Sequence, residues 1–180
     1  AAAAAQAGLP LATHTARRLA AESAPLPEPW PDAARDALVA ALGAGRPAIG
    51  VFEALDQVGL LVRLIPEWAQ VRCKPQHNAA HRFTVDRHLI EAAVEAAALT
   101  RRVARPDLLL LGALLHDIGK GFPGDHTDAG VAIVPGIAER LGLEAEDVAT
   151  VTDLVRHHLL LPDTATRRDQ IGDPGRQAAA

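Results

Sequence analysis

Residues 108–115 read LLLLGALL, without a polar side chain on any face, and run directly into His116 and Asp117. A helix at a protein surface shows one apolar stripe, whereas a helix that is apolar all round must be enclosed by other elements. The run is too short to cross a bilayer, which takes about 20 such residues. It is therefore predicted to be the central helix of a soluble core, ending in a buried polar pair. The remaining apolar content is carried by Ala, Leu and Val, and aromatic residues make up only 3% of the chain. That composition favours helices over an aromatic-rich sandwich, and the predicted fold class is all-α.

With 180 residues the chain has room for one domain with a sizeable core. Residues 1–31 are Ala-rich and then Pro-studded, and are expected to be a linker or flanking segment with room for a helix near its start. Residues 32–70 form a helical lead-in. A first helix is predicted from Asp32, as N-cap, to the glycines at 43 and 45. A second opens at Pro47 and closes near Gly59, and a short third is ended by Pro66. Residues 71–173 form the main domain. A polar, His-rich loop over 71–82 precedes a helix of about twenty residues starting at Thr84, with apolar positions 85, 89, 93, 94 and 97 near helical spacing. After the central helix, Gly119 and Gly121 supply a stop. The next helix starts at the capping residues Asp125, Thr127 and Asp128 and is expected to be kinked or split by Pro135. EDVATVTDLVRHHLLL is the last clear helix, and residues 174–180 are expected to be a disordered tail.

The net charge of -4 gives no sign of a surface for long nucleic acid, but leaves room for a small phosphorylated group. Cys73 is the only cysteine, which excludes an internal disulfide and fits a reducing, cytoplasmic setting. No membrane span and no secretory leader are expected. The chain has no methionine, so we expect it to be a piece of a longer protein.

Polar groups at the end of so apolar a run need partners. A divalent metal would satisfy His116 and Asp117, because imidazole and carboxylate are both metal ligands and a cation offsets the burial of the carboxylate charge. Taken alone, the dipeptide favours a capping Asp beside a hydrogen-bonded core His. Further candidates raise the metal reading: His88 in the preceding long helix, His126 after the HDIGKG turn, His157 and His158 at the end of the last helix, and Asp169 in RRDQ. Lys120 suits either a point charge on a phosphate oxygen or a solvated side chain at a helix C-terminus. Arg82, Arg156, Arg167 and Arg168 are candidate phosphate forks. His77 and His81 precede the long helix and either extend the site or cap it. Asp125 and Asp128 either orient His126 or cap its helix, and we favour capping. Cys73 lacks the context of a nucleophile.

An early helical His, then LLHDIGKG, DH, RHH and a later Asp resemble the pattern of the HD-domain phosphohydrolases. The resemblance implies an all-helical bundle that cleaves phosphate esters. It also implies His88, His116, Asp117 and Asp169 as ligands of one metal, with His126 and either His157 or His158 completing a second site. Catalytic roles are expected of Asp117, Lys120 and His126. The cofactor would be one or two divalent ions, drawn from Mn, Fe, Mg, Co or Zn.

PQHNAAHRFTVDRHLIEAA, LLLLGALLHDIGKGFPGDHTDAG and LVRHHLLLPDTATRRDQ are similar to the HD domain of the bacterial PII uridylyltransferase/uridylyl-removing enzyme family, over roughly residues 30–173. That likeness implies hydrolysis of a nucleotidyl group, UMP or AMP, from a modified PII nitrogen-signalling protein. Glutamine sensing would belong to a domain absent from this chain. One departure is Phe83, where the family commonly has Tyr. Two other readings stand beside it: an HD hydrolase of a free deoxynucleotide or alarmone, and a catalytically silent module with a structural metal. The chain contains no GYP motif, which disfavours cyclic-dinucleotide hydrolysis.

Overall fold

The computed structural model describes residues 1–76, 83–161 and 164. Among these residues the fold is all-α, with no strand. The helices are α1 (Ala2–Gln6), α2 (Thr13–Glu22), α3 (Asp32–Gly43), α4 (Pro47–Gln57), α5 (Leu60–Leu64), α6 (Val85–Ala97), α7 (Pro106–Leu115), α8 (His126–Arg140) and α9 (Ala145–Arg156). Short 3-10 turns at Pro66–Gln70, Thr100–Arg102 and Ile118–Gly121 join them. None of the described helices is long and apolar enough to cross a membrane.

The all-apolar run becomes α7, where Leu108, Leu110, Leu111, Leu114 and Leu115 are buried. This helix contacts α3, α6 and α9, which together enclose most of it. A methyl group at Gly112 would stand 2.6 Å from Leu154 Cδ1, so the bare glycine lets α9 settle close against α7. α8 packs on α9 and on the Ile118–Gly121 turn.

Local chemistry sets most of the boundaries. Pro47 occupies the first turn of α4, and Pro66 ends α5 while opening a 3-10 turn. Asp32 lies in the first turn of α3 rather than at its cap, a position held by Pro31. α6 starts after the expected Thr84 but spans 13 residues, shorter than the twenty predicted. Beyond Ala97 the chain turns, Thr100 Oγ1 donating to the Ala97 carbonyl (2.9 Å). Pro106 then holds Arg105 outside the helical region, at φ -125° and ψ 79°. α8 runs unbroken from His126 to Arg140 with Pro135 inside, so the proline does not split it. The proline forgoes one bond to the carbonyl four residues earlier, and packing against α9 holds the helix together.

The first thirty residues differ most from expectation. They hold two helices, and Ala5 and Ala16 are each 1% exposed. α1 packs on α3 and α4. Trp30 is buried and donates its backbone N–H to the Arg140 carbonyl (2.8 Å), while Arg35 donates to the Gly142 carbonyl. Small alanine side chains allow the close approach, so a stretch that reads as a linker is part of the core.

Candidate metal centre

Among the described residues, four imidazoles surround one carboxylate. His88 lies in the first turn of α6, His116 caps the C-terminus of α7, His126 opens α8, and His158 follows the end of α9. Asp117, the residue after α7, is 3% exposed and stands between them. Its Oδ2 is 3.3 Å from both His88 Nε2 and His116 Nε2, which are 3.1 Å from each other. Its Oδ1 faces the other pair, 3.4 Å from His158 Nε2 and 3.7 Å from His126 Nε2. One carboxylate thus serves two groups of three donor atoms, His88/His116/Asp117 and Asp117/His126/His158.

Backbone carbonyls aim two of the rings. His116 Nδ1 donates to the Ala113 carbonyl (2.8 Å), and His158 Nδ1 donates to the Val155 carbonyl (2.6 Å). A carbonyl can only accept, so the proton is at Nδ1 and the neutral ring presents its Nε2 lone pair to the cluster. This is the arrangement that metal-ligating histidines use. The Asp125 side chain accepts from the backbone N–H groups of Thr127 (2.8 Å) and Asp128 (3.0 Å), which fixes the turn carrying His126. Asp125 thus acts as the predicted helix cap. The approach of that turn to the centre depends on Gly119, where a methyl group would overlap the His126 carbonyl and lie 2.5 Å from the Gly130 nitrogen.

The electrostatics call for a cation. Burial alone would raise the Asp117 carboxyl, but contacts from His116, His158 and His88 outweigh it and hold the group far below the usual carboxylate range. Contact with that carboxylate raises His158, against the opposing effect of burial. Even so, Asp117 Oδ1 and His158 Nε2 are buried and have no hydrogen-bond partner among the described residues. Buried acceptors without partners are costly, and a divalent ion between them would satisfy both. The donor set therefore fits a divalent metal.

The other predicted residues divide clearly. Lys120 is at the edge of the cluster, its Nζ 2.7 Å from Asp117 Oδ2 and 2.9 Å from Gln76 Oε1. His157 is exposed at the C-cap of α9 and belongs to neither donor group, so of the two adjacent histidines only His158 joins the cluster. Arg156 is exposed and paired with Asp153. Cys73 is exposed, its backbone N–H donating to Asp86. Asp169, His77, His81, Arg82, Arg167 and Arg168 lie outside the described residues. Gln76 was not singled out by the sequence, because a loop glutamine carries no signal until the fold sets it beside Lys120.

Comparison with known proteins agrees with this geometry. A family model described as HD domain matches residues 85–179. The chain is 63% identical over 174 residues to the bifunctional uridylyltransferase/uridylyl-removing enzyme of Streptomyces coelicolor, an alignment covering 97% of this chain and 21% of that protein. It is 55% identical over 174 residues to the protein of the same name from Mycobacterium tuberculosis, again with 97% and 21% coverage. The counterpart from Corynebacterium glutamicum is 42% identical over 169 residues, covering 94% of this chain and 24% of that protein. The chain thus spans about a fifth to a quarter of the length of these relatives. With a family match over more than half its length and a histidine-aspartate cluster able to hold a divalent metal, the chain belongs to the HD domain family.

Proposed function

We propose that this domain hydrolyses a phosphodiester, removing a nucleotidyl group from a modified PII signalling protein in the cytoplasm. The observation that carries the reading is the division of Asp117 between two histidine pairs, with Oδ1 and His158 Nε2 buried and unpaired among the described residues. The names of the relatives, which include uridylyl removal, supply the substrate class.

His88, His116 and Asp117 would hold one divalent ion, and Asp117, His126 and His158 a second. Such ions supply a water of lowered pKa and neutralise charge on the phosphoryl oxygens. The protein's own groups do the rest. The Ala113 and Val155 carbonyls lock His116 and His158 in the orientation that keeps Nε2 pointed inward. Lys120 offers a third N–H beyond those given to Asp117 and Gln76, and this proton is available to a phosphoryl oxygen as charge builds. His126 is the least buried of the rings around Asp117, with a side chain 29% exposed, and is the imidazole best placed to exchange a proton with solvent.

Uridylylated PII, adenylylated PII and free nucleotides are to be assayed side by side on the full chain, with His116→Ala and Asp117→Ala as controls. Release of UMP or AMP from modified PII, lost in both variants, supports the reading. Turnover confined to free nucleotides would reassign the domain to a small-nucleotide hydrolase. Turnover retained in both variants would remove the cluster from catalysis.

A further inference from the structure

Among the described residues, the segment before α6 folds back on that helix through hydrogen bonds from Cys73, Val85 and Gln76. The Cys73 backbone N–H donates to Asp86 Oδ2 (2.7 Å), the Val85 N–H donates to the Lys74 carbonyl (2.9 Å), and Gln76 Nε2 donates to the Phe83 carbonyl (3.2 Å). They form a stem, with Gln76 at its far end. The same Gln76 amide has its oxygen on Lys120 Nζ, at 2.9 Å.

These two bonds fix the direction of the amide. The Phe83 carbonyl can only accept, so the NH2 must face it and Oε1 must face Lys120. A flipped amide would set its oxygen against the Phe83 carbonyl and its NH2 against the Lys120 ammonium, leaving neither contact a hydrogen bond. Lys120 is thereby anchored twice, to Gln76 Oε1 and to Asp117 Oδ2. The two anchors differ in kind. Asp117 Oδ2 is the oxygen that also faces His88 and His116, so a cation held there draws on the same acceptor. Among the described residues, the Gln76 oxygen is the one Lys120 partner outside the metal-ligand set.

The geometry points to Gln76 as a positioning residue for Lys120, tying the stem ahead of α6 to the turn after α7 and holding the ammonium beside the reacting phosphate. This rests on the proposed hydrolase reading for its catalytic consequence, but the contact itself is testable without turnover. Removal of Oε1 frees the ammonium to swing and blurs the charge it presents, which acts on the chemical step more than on binding.

Two measurements on the full chain test it. Lys74 and Lys120 are its only lysines, so ammonium NMR has one built-in reference, assigned with Lys74→Arg. Gln76→Ala is expected to shift and broaden the Lys120 ammonium resonance while leaving that of Lys74 in place, and Gln76→Glu, which keeps an acceptor oxygen, is expected to retain a sharp signal. With Mn2+ and bis(p-nitrophenyl) phosphate as a generic diester, Gln76→Ala is expected to lower kcat about tenfold with KM and bound metal unchanged. Lys120→Ala is expected to lower it about 100-fold, and the double variant no further than Lys120→Ala alone. Effects that add in the double variant, or a Lys120 resonance untouched by Gln76→Ala, would overturn the assignment. If the unsubstituted chain turns over no diester, the hydrolase reading fails and the NMR result alone decides the role of Gln76.

Discussion

His158 Nε2 and Asp117 Oδ1 face each other at 3.4 Å, both buried and neither with a hydrogen-bond partner among the described residues. His157, one residue earlier, is exposed. Substitution of the two adjacent histidines should therefore separate cleanly. His158→Ala is expected to weaken metal binding by at least roughly 100-fold, as loss of a ligand does, whereas His157→Ala should leave it within about twofold. Isothermal titration with Mn2+ reads the difference, and equal losses in the two variants would contradict the arrangement.

The same contact fixes a pH dependence. His158 is raised above its ordinary value of 6.5 by Asp117, so in the metal-free chain its protonated form adds stability below that value and the contribution is lost as pH rises through the folded pKa. Asp117 is lowered from 3.8, so its contribution is present above that value and is lost only as pH falls toward the depressed folded one. Metal binding needs unprotonated imidazole and so expels a proton from His158. The rise in Tm on adding Mn2+ should therefore grow as pH increases from about 5.5 to 8. Calorimetry with and without EDTA measures it, and a shift that is flat or falls with pH would contradict the account.

Gly119 gives a test of how the second donor group is built. A methyl group there would overlap the His126 carbonyl and crowd the Gly130 nitrogen, so Gly119→Ala must push the start of α8 away from Asp117. Overpacking of this kind costs about 1–3 kcal/mol. The variant is expected to stay folded, with a Tm lower by several degrees and with weaker binding of the second metal equivalent than of the first. Unchanged binding of both would show that the close approach does not position His126.

The N-terminal segment is expected to be needed for stability. Trp30 is 6% exposed and joined to the end of α8 through the Arg140 carbonyl, and Arg140 is itself paired with Glu67 at 2.7 Å. Trp30→Ala should destabilise by about 3–5 kcal/mol in urea unfolding. A loss below about 1 kcal/mol would mean that this segment behaves as the linker its composition suggests.

How much of this was readable beforehand depended on whether the signal was local. The burial of α7 followed from LLLLGALL alone, since no face of that helix tolerates water, and the polar pair at its end announced a site. His88 and His126 were found because helix ends and motif spacing put them near HD. The choice between His157 and His158 was not readable, because the helix ends at Arg156 and the path of the next two residues depends on packing. The first thirty residues misled for a related reason: Ala and Pro mark linkers by composition, yet Ala is also the residue that lets helices pack most closely, as Ala5 and Ala16 do. Gln76 was invisible because its partners, Lys120 and Phe83, become neighbours only through the tertiary fold.

The most direct test of the central claim is anomalous diffraction from crystals of the chain grown with Mn2+. The account expects a strong peak about 2.0–2.3 Å from Asp117 and from His88 and His116 Nε2, with a second peak shared with His126 and His158 at higher Mn2+. Density confined to other parts of the molecule at saturating Mn2+, with the Asp117 cluster empty, would contradict it.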